Sequence, residues 1–362
     1  MNVAIISPYS MSKPGGVQDH TRELARALTK KGHAVTLFGP ELRGPQEGLE
    51  GVGTVSLGRA VSIPANGSIA PLGIDPSMIV RFDLGLDPAD VIHVHEPFLP
   101  PGLLALLRRP RNTAVVGTFH AAAERFWPYA FFSPIIRLAS RRLDDTTAAS
   151  PEARRLVRRY VNVDPQIVPN GVDVQAFEDA KPDAWASDLG RIVLFVGRAE
   201  PRKGFETVVR AFADVARTRP DVHLVWIPET DDSLPVGVDR ERIHCLGHVS
   251  RERLMALHRC AEVVCCASLG RESFGIVVLE GLAGGSAVIA SDIPGYRFAG
   301  GDVPEYVAPG DVRAWSETLG RLLDDPSQRE KVADRGPARA REFDWSVVAD
   351  ETVRVYERAL SI

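Results

Sequence analysis

Cysteine is scarce in this sequence, and the spacing of the few that occur argues against two common kinds of site. Cys245, Cys260, Cys265 and Cys266 are the only cysteines among 362 residues, and none has C-x-x-C spacing. A disulfide framework is not expected at this length, and the spacing fits no zinc template. We therefore expect small buried thiols in a reducing cytoplasm.

Long hydrophobic runs are also absent. The N-terminal sequence, Met-Asn-Val-Ala-Ile-Ile-Ser-Pro-Tyr, breaks after a few apolar residues and has no preceding basic stretch. It is expected to be a buried strand rather than a signal peptide. No apolar run approaches the length of a transmembrane helix, so any membrane contact should be peripheral.

Neither sign of charge dominates. The 43 basic and 47 acidic residues give a net charge of −4, which argues against nucleic-acid binding by the chain as a whole. The charge is unevenly spread, because residues 1–170 carry a net +4 and residues 171–362 a net −8. A basic and an acidic half indicate that the halves face different partners.

The order of predicted elements indicates an α/β fold. A strand at Val3–Ser7, a glycine turn, a helix and a strand at Ala34–Phe38 open the chain. After a turn near Asn170-Gly171 the same plan restarts with Arg191–Val196. We therefore predict two Rossmann-like, doubly wound domains, spanning 1–168 and 169–345, with a ligand cleft at the carboxyl ends of their strands. Late helices are predicted over 312–323, 328–342 and 346–360.

Two segments have the composition of phosphate-binding turns. Gly15 and Gly16 lie between the first strand and the first helix, where backbone N–H groups and the helix dipole attract anions. Arg198 and Lys203 follow the strand Arg191–Val196 and could neutralise a diphosphate. A plain tight turn and solvated surface charge are the alternatives. The full G-x-G-x-x-G pattern is missing, which disfavours a dinucleotide oxidoreductase.

The segment from Gly270 to Glu280 carries two carboxylates. Glu272 is expected in a loop, and Glu280 inside the helix that begins after Gly275. A glutamate beside the free N–H groups of a helix start could hold sugar or ribose hydroxyls. A capping carboxylate and an exposed helical glutamate are the alternatives.

Three histidines follow or lie in buried strands. His120 comes directly after the strand Thr113–Thr118 and could donate a hydrogen bond to a ligand, or could be a satisfied structural residue. His93 and His95 have the period-2 spacing that places both rings on one face of a strand. A metal site is disfavoured because no third ligand stands out.

An aromatic segment, Phe126–Phe132, precedes Arg137, Arg141 and Arg142. Aromatic and basic side chains together are typical of a bilayer interface. A core or interdomain aromatic cluster with solvated arginines is the alternative.

Read together, these motifs resemble glycosyltransferase family 4. The resemblance rests on Gly15-Gly16 after the first strand, on Pro169-Asn170-Gly171-Val172-Asp173, on Gly197-Arg198…Lys203-Gly204, and on Glu272…Glu280, which occur in this order over nearly the whole chain. The family implies retaining, metal-independent transferases of the GT-B fold, with two Rossmann-like domains facing a deep cleft. The C-terminal helix, about 346–362, would cross back to the first domain.

Further motifs resemble the family members that transfer mannose to phosphatidylinositol. They include Pro8-Tyr9-Ser10, Ile63-Pro64-Ala65-Asn66-Gly67-Ser68, His93-Val94-His95-Glu96-Pro97 and Asp344-Trp345-Ser346. This resemblance implies a nucleotide-sugar donor, GDP-mannose, and a phosphatidyl-myo-inositol acceptor. It implies no cofactor, no metal and no nucleic acid, and a cytoplasmic enzyme, either free or peripheral on an anionic inner membrane surface. The oligomeric state is left open.

The resemblance also assigns roles to individual residues. The first domain would bind the acceptor and the second the donor, and catalysis would involve His120, Glu272, Arg198 and Lys203. The donor would be bound by Gly15, Gly16, Arg198, Lys203, Val249, Glu272, Phe274, Gly275, Ile276 and Glu280. The acceptor would be bound by Tyr9, Gln18, Asn66, His120 and Arg125.

The sequence departs from the family pattern at three places. Asp75–Leu86 has only Arg81 where a lysine-rich, lipid-docking stretch is expected, and Ala121-Ala122 replaces hydroxyl residues. Ser250, Arg251 and Leu254 replace the acidic residues and lysine expected near a guanine base. A UDP-sugar, with a soluble inositol or a secondary metabolite as acceptor, is therefore the alternative. A nucleotide-sugar binding protein without turnover is the third hypothesis.

Overall fold

A computed structural model describes residues 1–13, 15–42, 48–65, 68–86, 88–121, 132–198, 200–228 and 241–361. The chain divides into two compact units. Unit 1 comprises Met1–Gly171 and Trp345–Ile362, and unit 2 comprises Val172–Asp344. The sequence pattern placed these boundaries at 168/169 and 345/346. The last helix therefore belongs to the same unit as the first strand.

Unit 1 is built on a parallel sheet. Among the described residues its strand order is β3-β2-β1-β6-β7-β8-β9, and β4 and β5 form a separate antiparallel hairpin. The strands are β1 Asn2–Ile6, β2 Ala34–Gly39, β3 Gly53–Ser56, β4 Ala60–Ala65, β5 Ser68–Gly73, β6 Val91–His95, β7 Ala114–Phe119, β8 Asp145–Ala148 and β9 Gln166–Ile167.

Helices cover both faces of this sheet. Side chains alternate along β1, so Ile5 packs in a cluster with Leu24 and Val355, whereas Ile6 packs on the opposite face with Phe82. The described helices of unit 1 are α1 Gly16–Lys30, α2 Met78–Gly85, α3 Pro100–Leu107, α4 Ser133–Ser140, α5 Pro151–Tyr160 and, from the chain's C-terminal part, α15 Trp345–Leu360.

Unit 2 repeats this plan with the strand order of the Rossmann fold. The described strands form one parallel sheet in the order β12-β11-β10-β13-β14-β15. The strands are β10 Arg191–Val196, β11 Val222–Ile227, β12 Ile243–Cys245, β13 Ala261–Cys266, β14 Ala287–Ser291 and β15 Glu305–Val307. Leu194 and Phe195 of β10 are both buried, in clusters on opposite faces of the sheet.

Short helices connect the strands of unit 2. Several begin at an Asp or Ser whose side chain accepts a hydrogen bond from the first turn, as Asp311 does from the backbone N of Ala314. They are α6 Val174–Asp179, α7 Ala184–Leu189, α8 Phe205–Ala216, α9 Arg251–Cys260, α10 Ile276–Ala283, α11 Pro294–Gly300, α12 Val312–Asp324, α13 Pro326–Ala333 and α14 Gly336–Arg341, with a 3₁₀ turn at Pro201–Lys203.

Two sequence predictions need correction. The helix predicted over 328–342 is two helices, because Gly336-Pro337 interrupts it: proline is tolerated in the first turn of α14 but not inside a longer helix. All four cysteines are free, but only Cys265 and Cys266 are buried, whereas Cys245 and Cys260 are partly exposed. Among the described residues, none of the helices is long and apolar enough to span a bilayer.

A buried hydrogen bond joins the last helix to the sheet of unit 1. The hydroxyl of Tyr356 lies 2.7 Å from Nδ1 of His93, and the tyrosine is fully buried. Tyr356→Phe should therefore lower the free energy of unfolding by about 1–3 kcal/mol, because it leaves a buried ring nitrogen unpaired. Urea unfolding measures this. Val347→Ala, at an exposed position of the same helix, should change the value by less than about 0.5 kcal/mol. Equal effects of the two variants would contradict this account of the bond.

Candidate functional site

Each unit has a polar region where its strand order reverses. In unit 1 the reversal lies between β1 and β6, and in unit 2 between β10 and β13. In open parallel sheets, ligands bind beyond the carboxyl ends of the strands at such a point. Most of the predicted site residues follow these strand ends.

In unit 1 a group of buried histidines lies at and beyond the ends of β6 and β7. His95 Nδ1 is 2.8 Å from His120 Nε2, and the two rings are stacked with centroids 5.1 Å apart. His20, from α1, contacts both rings edge-on at 5.2 and 4.8 Å. The tilted rings of His93 and His95 have centroids 4.4 Å apart, which confirms that the two share one face of β6. We call His20, His93, His95 and His120 the histidine cluster.

Hydrogen bonds hold the edges of the histidine cluster. His93 Nε2 lies 2.6 Å from Oγ1 of Thr118, which in turn contacts the hydroxyl of Thr147 on β8. Glu96 accepts hydrogen bonds from the backbone N–H groups of His120 (2.7 Å) and Ala121 (2.8 Å). Glu96 adopts φ = 48°, a strained conformation for a residue with a Cβ, which is typical of functional turns.

Burial keeps the histidine cluster neutral. It lowers the pKa of His20 to about 4 and that of His93 to about 3. It lowers the pKa values of His95 and His120 well below the usual range, and the neighbouring histidines add to the effect by repulsion. The rings are therefore uncharged hydrogen-bonding groups at pH 7.

The histidine cluster also contains a possible metal-binding set. Ring nitrogens of His20, His95 and His120 lie within 4.8 Å of one another, and neutral imidazole is a common ligand of zinc. His20 is far from His95 in the chain, so the sequence did not indicate it as a third ligand. However, a metal bound by the paired nitrogens of His95 and His120 would have to break the hydrogen bond between them.

The remaining predicted residues of unit 1 differ in their surroundings. Tyr9 follows β1 and is partly buried, and burial together with the nearby Glu96 carboxylate raises the pKa of its hydroxyl. Gln18 is only 4% exposed, and its amide donates a hydrogen bond to the carbonyl of Ser10 at 3.4 Å. Gly15 precedes α1 and Gly16 begins it. Asn66 and Arg125 lie outside the described residues.

In unit 2 the central feature is an ion pair. Lys203 Nζ lies 2.7 Å from Glu272 Oε2, with side-chain exposures of 14% and 17%. Burial alone would raise the pKa of Glu272, but the Lys203 ammonium and further hydrogen bonds outweigh it, so the pKa is lowered and the carboxylate is charged. Ser268 donates to the same oxygen (3.4 Å), and Tyr296 donates to Ser268 (2.8 Å).

Arginines surround this pair. Glu200 bridges Arg198 at 3.0 Å and Arg202 at 2.7 Å, and Arg202 also lies 3.9 Å from Glu272. The cations Arg198, Arg202 and Lys203 are thus concentrated between β10 and α8, at the carboxyl end of the central strand. Such a group attracts a phosphate or diphosphate.

Two glycines are required by this geometry. Gly204 has φ = 73°, and a Cβ there would lie 2.0 Å from the carbonyl oxygen of Ala267, so any other residue would force the two loops apart. Gly275 has φ = 99° and a Cβ there would lie 2.4 Å from Tyr296. Gly275 caps α10, which confirms the predicted helix start, with Glu272 before it and Glu280 within it.

Other predicted donor-site residues lie close by in unit 2. Phe274 is buried and packs against Phe298 and Phe343, so its side chain belongs to the core and only its main chain is available to a ligand. Ile276 is the first residue of α10. Val249 is partly buried and packs against the same core.

Three contributors were missed from the sequence. His20 lies four residues before the buried Leu24 of α1 and is therefore on the same face of the helix. A polar residue at a core-facing position was the sequence signal that could have identified it. Arg202 is adjacent to Lys203, and only its pairing with Glu200 and Glu272 distinguishes it from a surface charge. No local sequence pattern around Tyr356 indicated its contact with His93.

Comparison with known proteins agrees with these observations. A model described as Glycosyltransferase Family 4 matches residues 14–176, and one described as Glycosyl transferases group 1 matches residues 178–339. The chain is 35% identical to the phosphatidyl-myo-inositol mannosyltransferase of Mycobacterium leprae (strain TN), over 99% of this chain and 96% of that protein.

Two further similarities are less close. The chain is 28% identical to the D-inositol 3-phosphate glycosyltransferase of Kineococcus radiotolerans (strain ATCC BAA-149 / DSM 14245 / SRS30216), over 99% of this chain and 95% of that protein. The crystal structure of HepE from Anabaena in complex with UDP and glucose matches with a TM-score of 0.74 at 17% identity, covering 99% of both chains. The fold is GT-B, as expected from the sequence.

The buried histidines should make the fold sensitive to acid. Their folded-state pKa values lie below the usual 6.5, so below pH 6.5 the unfolded chain binds more protons and stability falls as pH falls toward 4. Each such group should cost about 1.4 kcal/mol per pH unit in that window. Urea midpoints at pH 7.5, 6 and 5 measure the slope.

A single variant isolates one such group. His258 in unit 2 is fully buried, and burial lowers its pKa to about 3. His258→Leu should reduce the pH dependence of unfolding between pH 6.5 and 4. An unchanged slope would show that His258 is not held neutral.

Proposed function

The chain belongs to glycosyltransferase family 4, and from this premise we propose that it transfers mannose from GDP-mannose to a phosphatidylinositol-type lipid. The observation that carries the transfer chemistry is the Lys203–Glu272 pair at the carboxyl edge of the unit 2 sheet. The transfer of mannose to an inositol lipid is supported by 35% identity to a phosphatidyl-myo-inositol mannosyltransferase over nearly the full length.

The donor is proposed to bind in unit 2. Lys203 and Arg198 would contact the diphosphate, and the Glu272 carboxylate would accept hydrogen bonds from the sugar hydroxyls. Glu280 would hold the ribose, and the main chain at 274–276 would assist at the start of α10. Placing a cation and a carboxylate side by side allows both parts of one donor to be bound together.

The proposed reaction breaks one bond and forms another at the same carbon. The bond from mannose C1 to the β-phosphate oxygen breaks, and the inositol hydroxyl oxygen bonds to C1 from the same face, which retains the configuration. The hydroxyl proton passes to the leaving phosphate oxygen. Negative charge develops on the diphosphate, and Lys203 and Arg198 would stabilise it without a metal ion. Turnover should therefore persist in the presence of a chelator.

The acceptor is proposed to bind in unit 1. His120 would lie near the reacting sugar and orient it through a neutral hydrogen bond, and Tyr9 would contact the inositol. The turn after β7 is suited to this because Glu96 fixes the main chain of His120 and Ala121. Positioning of reactants supplies much of the rate in such transfers.

A second candidate keeps the chemistry and changes the substrates. A soluble inositol phosphate acceptor is favoured by the full-length similarity to an inositol phosphate glycosyltransferase. Another nucleotide base is favoured by Ser250, Arg251 and Leu254, which form the start of α9 where a guanine-binding pattern was expected. Thermal shift with GDP, UDP and their sugars separates these possibilities, because a tight ligand raises the unfolding temperature.

Turnover tests the proposal directly. Purified protein should release GDP from GDP-mannose only when phosphatidylinositol is present, and a mannosylated lipid should form. Release with a soluble inositol phosphate instead would favour the second candidate. Absence of release with any donor and acceptor pair would contradict both.

Removal of one cation should impair the chemical step. Lys203→Ala should lower kcat by about 10²–10³-fold, because it deletes a group that stabilises charge on the leaving diphosphate. Lys331→Ala, at an exposed lysine of α13, is the matched control and should retain full activity. Activity of Lys203→Ala equal to that of the control would exclude the proposed donor site.

We also propose peripheral docking of unit 1 on the cytoplasmic face of an anionic membrane. Ile135 and Leu138 of α4 leave 58% and 66% of their surface exposed, and Arg137, Arg141 and Arg142 are exposed beside them. Apolar side chains flanked by arginines fit a surface of anionic lipid. The aromatic residues 126–131 lie outside the described residues.

Vesicle flotation tests the docking proposal. The double variant Ile135→Asn/Leu138→Asn should reduce co-flotation with vesicles that contain phosphatidylinositol, because it removes the apolar contact. Leu360→Asn, at an exposed apolar residue of α15, should bind as the wild type does. Equal binding of all three proteins would exclude α4 as the docking surface.

A further inference from the structure

We propose that His95 is a positioning residue for sugar transfer: through its Nδ1 it holds the His120 ring so that His120 presents an Nδ1–H group to the substrate. This inference deepens the proposed function and rests on it for its kinetic consequences. The distance that carries it is 2.8 Å between His95 Nδ1 and His120 Nε2.

Apart from the contact with His120, little in the structure accounts for a histidine at position 95. It is the last residue of β6 and is 0% exposed, so it has no surface open to a substrate in this structure. Its other ring nitrogen, Nε2, is buried and has no hydrogen-bond partner within the described part of the chain. A buried polar atom without a partner costs stability, so a purely structural core position would favour an apolar residue.

The hydrogen-bond pattern assigns the protons. One ring must donate to the other. If Nε2–H of His120 donated to Nδ1 of His95, the proton of His95 would lie on its buried Nε2, where it has no acceptor. If Nδ1–H of His95 donates instead, its Nε2 carries only a lone pair. Buried N–H groups without an acceptor are the rarer defect. We therefore assign the proton of His95 to its Nδ1. Nε2 of His120 is then the acceptor, and the proton of His120 lies on its Nδ1.

The surroundings hold this arrangement over a wide pH range. The titratable groups around His120 are His20 from α1, His93 and His95 from β6, and Glu96, which binds its backbone N–H. Protonating Nε2 of His120 would require displacing the N–H of His95 and placing a charge among neutral buried rings. His120 is thus fixed in both orientation and tautomer.

Substitutions at His95 separate positioning from packing. Asn carries its amide nitrogen on Cγ, as histidine carries Nδ1, so His95→Asn can keep the bond to His120. Gln places its amide farther out, near the position of Nε2, where no partner lies. His95→Leu fills the space without any hydrogen bond.

The kinetic expectations follow from this geometry. His95→Leu and His95→Gln should lower kcat about tenfold to a hundredfold with little change in the KM of the donor. His95→Asn should restore kcat to within about threefold of the wild type. His258→Asn, a matched substitution of a fully buried histidine in unit 2, should leave kcat unchanged.

The pH profile gives a readout that packing would not move. In His95→Leu the freed Nε2 of His120 can take up a proton, so the acid limb of kcat should shift to higher pH. The acid limb of the kcat profile should lie at the wild-type pH in His95→Asn and His258→Asn. An unshifted profile in His95→Leu, or equal losses for Asn and Gln, would overturn the proposal.

A second measurement does not depend on turnover. In protein labelled with ¹⁵N-histidine, NMR should show protonated Nδ1 and bare Nε2 for both His95 and His120, and the His120 signals should change in His95→Leu. A proton on Nε2 of His120 would overturn the proposal even if the substrates were wrongly assigned. Loss of activity on chelation, with recovery on adding Zn²⁺, would instead show that the cluster binds metal.

Discussion

The strands of each main sheet run in one direction, and this constraint determines where polar groups can gather. Parallel strands end at a common edge, so residues that follow different strands meet although they are far apart in the chain. In unit 2 this brings Lys203, after β10, to Glu272, after β13. In unit 1 it brings His120, after β7, to His95 at the end of β6.

Burial then sets the chemistry of these two groups in different ways. The carboxylate of Glu272 stays charged because Lys203 and Arg202 compensate for its desolvation. In the histidine cluster burial lowers the pKa values and keeps the rings neutral, and the rings bond to one another and to hydroxyl groups. One region is therefore suited to an anionic diphosphate, and the other to uncharged hydroxyl groups.

The sequence predicted the parts of this arrangement that depend on local pattern. Arg191–Val196 is a strand because its run of apolar residues is buried on both faces, and Glu272 and Glu280 were correctly divided between loop and helix by Gly275. The prediction of a single helix over 328–342 was wrong, because Gly336-Pro337 interrupts the helix. The hydrogen bond between His93 and Tyr356 could not be predicted from the sequence. Tyr356 lies 263 residues away in the chain and meets His93 only after α15 packs on the sheet. For the same reason a third histidine beside His95 was not foreseen.

We propose that Lys203 and Glu272 form a donor site for a nucleotide sugar. A crystal structure with bound GDP-mannose, or with a non-hydrolysable analogue, tests it most directly. We expect the diphosphate to contact Lys203 and Arg198, and the sugar hydroxyls to lie within hydrogen-bonding distance of Glu272. A nucleotide bound elsewhere, with the Lys203–Glu272 pair unchanged, would contradict it.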